Sequence, residues 1–306
     1  VHLPLSVEAQ AETQVLMLAT ANIFSPSNGA PITMPMQDIV LGVYYLTVDH
    51  GSVFIEPDVR QHKISDEESY PIFSHPHEAI TAYDNGRVGM HAPVLVRVPT
   101  DLVIAEDDRR YTATTGRVLT SAGRCIFNDI LPKGMPFYNM TLGAKGASRV
   151  ISDCYTILGR SATIDLLDDI KQLGFTYATL AGISFGITDA RIPEAKREII
   201  ETAQAKVDDV LESYKAGAIT EIERRNQVLD IWIHVREAVT RELLDALKLD
   251  TREDDPAYLN PIWMMYNSNA RGNIDQIRQL AGMRGLMQKP SGEIIEAPIK
   301  ANFREG

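Results

Sequence analysis

Apolar positions recur at helical spacing along most of this chain and alternate clearly in one stretch, so the pattern predicts many helices and few strands. Residues 4–20 place Val7, Ala11, Val15, Met17 and Leu18 near one face behind Ser6, a suitable N-cap, and predict a helix. The Ser25 to Pro31 run is dense turn chemistry, residues 32–36 predict a short strand, and Gln37-Asp38 cap a second helix whose apolar run over 39–46 predicts burial. Residues 48–74 read as loop, 78–83 as a short helix closed by Asp84-Asn85-Gly86, and 88–98 as a half-buried strand with Val88, Met90, Ala92, Val94, Val96 and Val98 alternating. Two further helices are predicted at 147–158 and 164–173, the second ended by Gly174.

A helical hairpin is the clearest element. Pro193 suits a first helical position, and Ile200, Ala203, Val207, Val210 or Leu211, and Tyr214 supply a coiled-coil-like seam. Ala216-Gly217-Ala218 turns the chain. Thr220 with Glu223 then makes a capping box for a helix carrying Ile222, Leu229, Trp232, Val239, Leu243 and Leu247, with Lys248 suited to its C-terminal dipole. Pattern alone fits a projecting pair and an ordinary packed pair equally well. The expected class is α+β: a predominantly helical, multi-region chain with short strands and one long antiparallel helical hairpin.

Composition narrows this picture. With 306 residues, 44% apolar and 23% charged, the chain has room for two ordinary globular domains. No apolar run is long enough to cross a bilayer and no signal region is present, so a cytoplasmic setting without membrane contact is expected. Val1 and Gly306 read as the ends of a piece of a longer chain. Cys125 and Cys154 are too few and too isolated for a disulfide framework or zinc cluster, and read as small buried residues. A net charge of −11 argues against a chain that coats nucleic acid unaided.

The acidic chain turns basic between Asn267 and Pro290, where Arg271, Arg278, Arg284 and Lys289 face one acid, Asp275. Asn273 caps a predicted helix from Ile274, with Ile277, Leu280 and Met283 or Met287 as its buried stripe. Arg271 then stands just before the helix N-terminus, where an anion such as a phosphate is favoured. The alternative is a short helix with solvated arginines. His75-Pro76-His77-Glu78 offers two imidazoles and a carboxylate but no distant third ligand, and a surface loop fits it better than a metal site. Asp165, Asp168 and Asp169, and likewise Asp208-Asp209, belong to solvated helix faces.

Arg271-Gly272, the run Gln276 to Met287, Glu293 to Ile299, and Ala301 to Gly306 closely resemble the largest catalytic subunit, β′, of bacterial DNA-dependent RNA polymerases. Val1 to Gln10, Asn22 to Gly29, Gln37 to Thr47, Ile130 to Pro136 and Val228 to Trp232 match the same family in the same order, with the weakest likeness over 48–86 and 99–115. The resemblance implies three regions: the end of the active-site region with a pore domain over 1–160, a funnel over 161–265 with a rim hairpin at 193–248, and an arginine segment over 266–306 leading toward the cleft. It implies strands around 112–126. It also implies that Arg271 contacts the triphosphate of incoming nucleotides, with Arg278 and Gln37 as further candidates lining their route. For Gln37, a helix cap or turn bond is the plain alternative. Asn269 and Asn273 stand where the family commonly has Gly and Ser.

Nucleotidyl transfer in this family needs Mg2+ held by an Asn-Ala-Asp-Phe-Asp-Gly-Asp stretch that this sequence lacks, and the family's bridge helix and trigger loop would follow Gly306. The fragment alone is therefore expected to be inactive, with no catalytic or metal-binding residue of its own. Expected partners are the other polymerase subunits, the DNA template and RNA transcript, nucleoside triphosphates, and transcript-cleavage and regulatory factors docking on the hairpin. Two other readings remain: a non-enzymatic scaffold whose hairpin binds partner proteins, and a free-standing phosphate-ester enzyme, the latter disfavoured because no base or nucleophile accompanies the arginines.

Overall fold

The computed structural model describes residues 2–48, 70–107, 109–113, 116–250, 252 and 258–306; most of the 48–74 loop and of the polar break at 251–256 lies outside them. The chain divides into two compact units, one running to Ile183 and including Ser268–Ala270, the other formed by Ser184–Asn267 and Arg271–Gly306. Helices dominate and the strands are short, as the sequence pattern predicts.

In the first unit, Ser6 caps α1 (Val7–Glu12) by accepting the Ala9 N–H at 3.1 Å. The expected single helix over 4–20 does not form. Thr13–Met17 is a π-helical turn, Leu18 is extended and Ala19–Ala21 is a 3-10 turn. The Thr13 hydroxyl donates to the Ala9 carbonyl at 2.7 Å, a local bond that competes with regular helix. The apolar face is left open: no residue of these three turns is buried, and Val7 is 78% exposed. The strand expected at 32–36 is also absent. Pro31 and Pro35 cannot donate to a ladder, and a lone Phe24–Pro31 bridge closes the turn instead.

Helix α2 (Asp38–Thr47) buries Val40, Val43, Tyr44 and Leu46, as its apolar run predicts. The helix predicted to stop at Gly174 runs on as part of α6 (Arg160–Ala181). Gly174 is a contact residue rather than a stop. A Cβ on Gly42 would lie 1.9 Å from the Gly174 carbonyl oxygen, and one on Gly174 would lie 2.6 Å from that of Ile39, so α2 and α6 meet backbone to backbone. The preceding helix, α5 (Ala144–Leu158), contributes Val150, Ile151 and Cys154 to the same core, beside Leu166 and Ile170 of α6.

Two three-stranded sheets complete this unit. In one, β1 (Ile72–Phe73) lies parallel to β2 (Pro93–Arg97), which pairs antiparallel with β5 (Arg117–Ser121) from Pro93 opposite Ser121 to Arg97 opposite Arg117. In the other, β3 (Val103–Glu106) lies between antiparallel β4 (Arg109–Thr112) and parallel β6 (Phe137–Tyr138). The strand expected from Val88 begins only at Pro93, because Gly89 turns the chain and accepts the Ala92 N–H at 3.2 Å. The His75-Pro76-His77-Glu78 segment is not a surface loop. It opens α3 (Pro76–Asp84), with Pro76 at the first position and the His75 ring accepting the His77 N–H at 3.3 Å.

Helix α4 (Ala122–Asp129) carries a fully buried arginine. Arg124 Nε donates to the Thr47 carbonyl and an Nη to Asn139 Oδ1, both at 3.1 Å. The Asn139 amide donates to Glu106 and to the Leu119 carbonyl, each at 3.0 Å. One guanidinium thereby ties the end of α2 to both sheets. Cys125 and Cys154 are buried and free; burial pushes the Cys125 thiol up to about 12 and raises that of Cys154, so neither is a nucleophile near neutral pH.

The second unit is built on the hairpin, α7 (Lys196–Lys215) and α8 (Glu221–Lys248). Its capping box forms as predicted: Thr220 Oγ1 accepts the Glu223 N–H at 3.3 Å and Glu223 accepts the Thr220 N–H at 2.8 Å. Pro193 lies in the turn before α7 rather than at its first position. The seam consists of Ala203, Val207, Val228, Trp232, Val235 and Val239. Ile222, placed in that seam from the pattern, is 72% exposed, and Leu229 is only half-buried beside Val228. Each sits at the edge of the apolar stripe, where heptad spacing assigns faces least sharply.

At the other end of the hairpin the flanking segments are latched together. Asp189 accepts the Gly186 N–H and the Tyr258 O–H, each at 2.7 Å, and pairs with Arg252. Asn260 donates to the Asp189 carbonyl and to Asp250, each at 2.8 Å, and Arg191 pairs with Asp250 at the same distance. Ala190, Leu243, Leu247, Ile262, Ile277 and Ala281 form the apolar cluster beneath.

Candidate functional site

The basic segment forms where α9 (Pro261–Asn267) gives way to α10 (Ile274–Ala281). Asn269 takes φ 57°, a left-handed geometry that asparagine tolerates well, and Gly272 takes φ 81°. Asn273 caps α10: its Oδ1 accepts the Gln276 N–H at 2.8 Å, and Gln276 Oε1 accepts the Asn273 N–H at 3.1 Å. Asparagine thus does at 273 what a serine cap would do. Ile277, Ala281 and Met283 are buried. Leu280, expected in that stripe, instead stands 39% exposed on the wall of a cavity.

That cavity has a volume of about 420 Å³. Phe185, Ile262, Met265, Leu280 and Phe303 make it largely apolar, and Arg271, Gln276 and Gln279 are its polar groups. The Arg271 backbone N–H donates to Met265 at 3.2 Å, fixing the start of the side chain, and among the described residues no carboxylate pairs with its exposed guanidinium.

The other cations of the segment are engaged. Arg278 pairs with Asp275 at 2.8 Å, its side chain is 12% exposed, and its Nε is buried without a partner. Burial and the nearby Arg236 guanidinium depress its pKa against the pull of Asp275. Arg284 lies over the Phe303 ring at 5.3 Å, and Lys289 pairs with Glu293 at 2.7 Å. The arginines are thus neither uniformly solvated nor gathered on one ligand: Arg271 lines the cavity, and Arg278 is not among its lining residues. Arg278 is near Arg236 of α8, a proximity that no local pattern around 278 reveals.

Gln37 belongs to the first unit, where it precedes α2 with φ 52° and ψ −119°. A non-glycine residue in that region is strained. Gln37 stands at the N-cap position of α2, where its carbonyl accepts the Leu41 N–H at 2.9 Å, but its side chain makes no capping bond and is exposed. Among the described residues, no group of three or more His, Cys, Asp or Glu side chains is placed to hold a metal ion. No described helix is long and apolar enough to cross a membrane.

Comparison with known proteins bears on the whole length. The family model described as RNA polymerase Rpb1, domain 3, matches residues 22–190, and that of RNA polymerase Rpb1, domain 4, matches 219–304. The chain is 47% identical over 306 residues to the DNA-directed RNA polymerase subunit beta' of Pelotomaculum thermopropionicum, covering all of this chain and 23% of that protein. It is 46% identical to the corresponding subunit of Rhodopirellula baltica and 41% identical to that of Aquifex aeolicus, covering all of this chain and 20% and 18% of those subunits. The chain therefore spans about a fifth of the length of these relatives. With matching models over both units and such likeness along its full length, this chain belongs to the family of the largest subunit of RNA polymerase, Rpb1 or β′.

Proposed function

We propose that this chain is the part of a DNA-directed RNA polymerase that forms the pore and secondary channel, through which nucleoside triphosphates reach the active centre and on whose rim regulatory factors dock. The observation that carries the reading is Arg271: in a segment that matches the family, it alone of the four cations lines the cavity, uncompensated by any described carboxylate. A guanidinium held so makes charge-assisted bonds to phosphate oxygens and positions the leaving group for nucleotidyl transfer. Gln37, with its strained backbone and exposed amide, and Arg278, paired with Asp275, are further residues of the nucleotide route in this reading. Mg2+ is held by aspartates outside this sequence, and the chain by itself is inactive.

The regional scheme follows: pore over 1–160, funnel over 161–265 and arginine segment over 266–306. In the assembled enzyme the chain meets the other subunits, the DNA template and the RNA transcript. The hairpin is the docking element for transcript-cleavage factors, a role supported by its polar outer faces and by Ile222 and Tyr214 exposed near its turn.

In the assembled polymerase, Arg271→Ala raises the nucleotide concentration needed for half-maximal extension about tenfold or more, the loss of a charge-assisted contact, with DNA binding little changed. Unchanged nucleotide dependence overturns the assignment. Ile222→Asp is expected to weaken factor-stimulated cleavage while basal RNA synthesis persists.

A further inference from the structure

We propose that a second, basic cavity, in the first unit, binds a small anion bearing several phosphate oxygens. It measures about 590 Å³ and lies among the Asn28–Pro31 turn, Arg110 of β4 and one face of α5. On α5, Lys145, Ser148, Arg149 and Ser152 follow one another at the spacing of a single helix face, so two cations and two hydroxyls share one space. Arg110 is the third cation.

The carboxylate beside them is already engaged. Asp153 Oδ2 accepts from Arg110 at 2.6 Å and from the Tyr138 hydroxyl at 2.7 Å. Lys145 and Arg149 pair with no carboxylate among the described residues. Three cations thus face one acid, in a chain whose net charge is −11. Lys145 and Arg149, which have no described counter-charge, repel one another and the Arg110 guanidinium, and a multiply charged anion relieves that repulsion. Guanidinium and ammonium groups with serine hydroxyls are the donor set that phosphate oxygens take. Cations gathered in one place favour a compact polyphosphate; a nucleic-acid strand is met by cations strung along a groove, with aromatic faces for its bases. Asn28, Ala30, Pro31 and Met34 across the cavity supply no aromatic ring. This site stands apart from the reading of Arg271, which belongs to the other unit.

The test uses the full-length subunit in its assembled polymerase and a readout other than synthesis. Acylation of individual lysines is followed by mass spectrometry while inorganic tripolyphosphate is titrated. Lys145 is expected to be protected about tenfold at saturation, with exposed Lys133 of the same unit unaffected, as an occupied contact requires. Arg149→Gln weakens the tripolyphosphate dependence about tenfold and Arg149→Lys retains most of it, since charge rather than bulk is at issue. Unchanged Lys145 reactivity overturns the proposal. So does equal protection by sodium chloride at matched ionic strength, which is mere screening. Protection by a single-stranded oligonucleotide but not by tripolyphosphate overturns it in favour of a strand path. The wild-type titration decides these outcomes even where a variant fails to assemble.

Discussion

In the first unit, α2 and α6 touch backbone to backbone at Gly42 and Gly174; in the second, α7 and α8 are held apart by a seam of valines, Ala203 and Trp232. At Gly42 the first contact meets only backbone, which cannot yield as a side chain does. The second has six side chains, each able to shift a little, and it leaves the outer faces of the hairpin polar and its turn open. A backbone contact holds two helices at one fixed approach, whereas a side-chain seam lets its helices shift a little against each other.

The difference is broken most directly by adding bulk. Gly42→Val drives a branched side chain into the Gly174 carbonyl and is expected to destabilise by about 3 kcal/mol or more, beyond ordinary overpacking because the obstacle is backbone. In the seam, the opposite change, Val239→Ala, removes buried methyl groups and costs about 2 kcal/mol. Urea unfolding of both variants is the measurement. Equal or reversed costs mean that α2 and α6 are able to part, and the contrast then fails.

Arg124 sharpens the same comparison from the polar side. Arg124→Met keeps much of the bulk but takes its donor from Asn139 Oδ1 and leaves the Thr47 carbonyl only the longer bond from the Thr141 hydroxyl, at 3.4 Å, in a buried interior. The expected loss is about 2–3 kcal/mol, measured by the same unfolding curves. A smaller loss, near that of an exposed pair such as Arg197–Glu201, means that the interior admits water.

Much of this arrangement is legible in the sequence where the cause is local. The Thr220–Glu223 and Asn273–Gln276 caps lie within four residues, and their donors and acceptors are fixed by that spacing. Val94 and Val96 are recognisable as buried strand positions from their alternation, although Leu95 between them is buried as well, against the second cluster that it forms with Leu119. What is illegible is set by distant chain. Gly174 looks like a helix stop until Gly42 is laid against it. Leu280 looks like core until Phe303 and Phe185 are found to leave a cavity beside it. Arg271 stands out from its neighbours only when Asp275, Glu293 and Phe303 are seen to engage the other cations. The likeness over Arg271–Met287 singles out Arg271 as the proposed phosphate contact without explaining why Arg278 is engaged differently.

The smallest expected effect concerns the latch that closes the base of the hairpin. Burial alone would raise the Asp189 carboxyl, but the Gly186 N–H, the Tyr258 hydroxyl and Arg252 outweigh it and hold the group below its ordinary 3.8. A carboxylate depressed in the folded state stabilises above its unfolded value and loses that contribution as pH falls through the folded one. Stability from this group is thus constant between pH 7 and about 5 and declines below about pH 4. Asp189→Asn removes the charge that Arg252 and Tyr258 address and is expected to cost about 1–2 kcal/mol at pH 7, a cost that shrinks as the wild type is acidified. Thermal unfolding of both proteins across that range provides the check. A difference that stays the same down to pH 2 assigns the latch to the shape of the residue rather than to its charge, and the hairpin's base is then held, like the α2–α6 crossing, by packing.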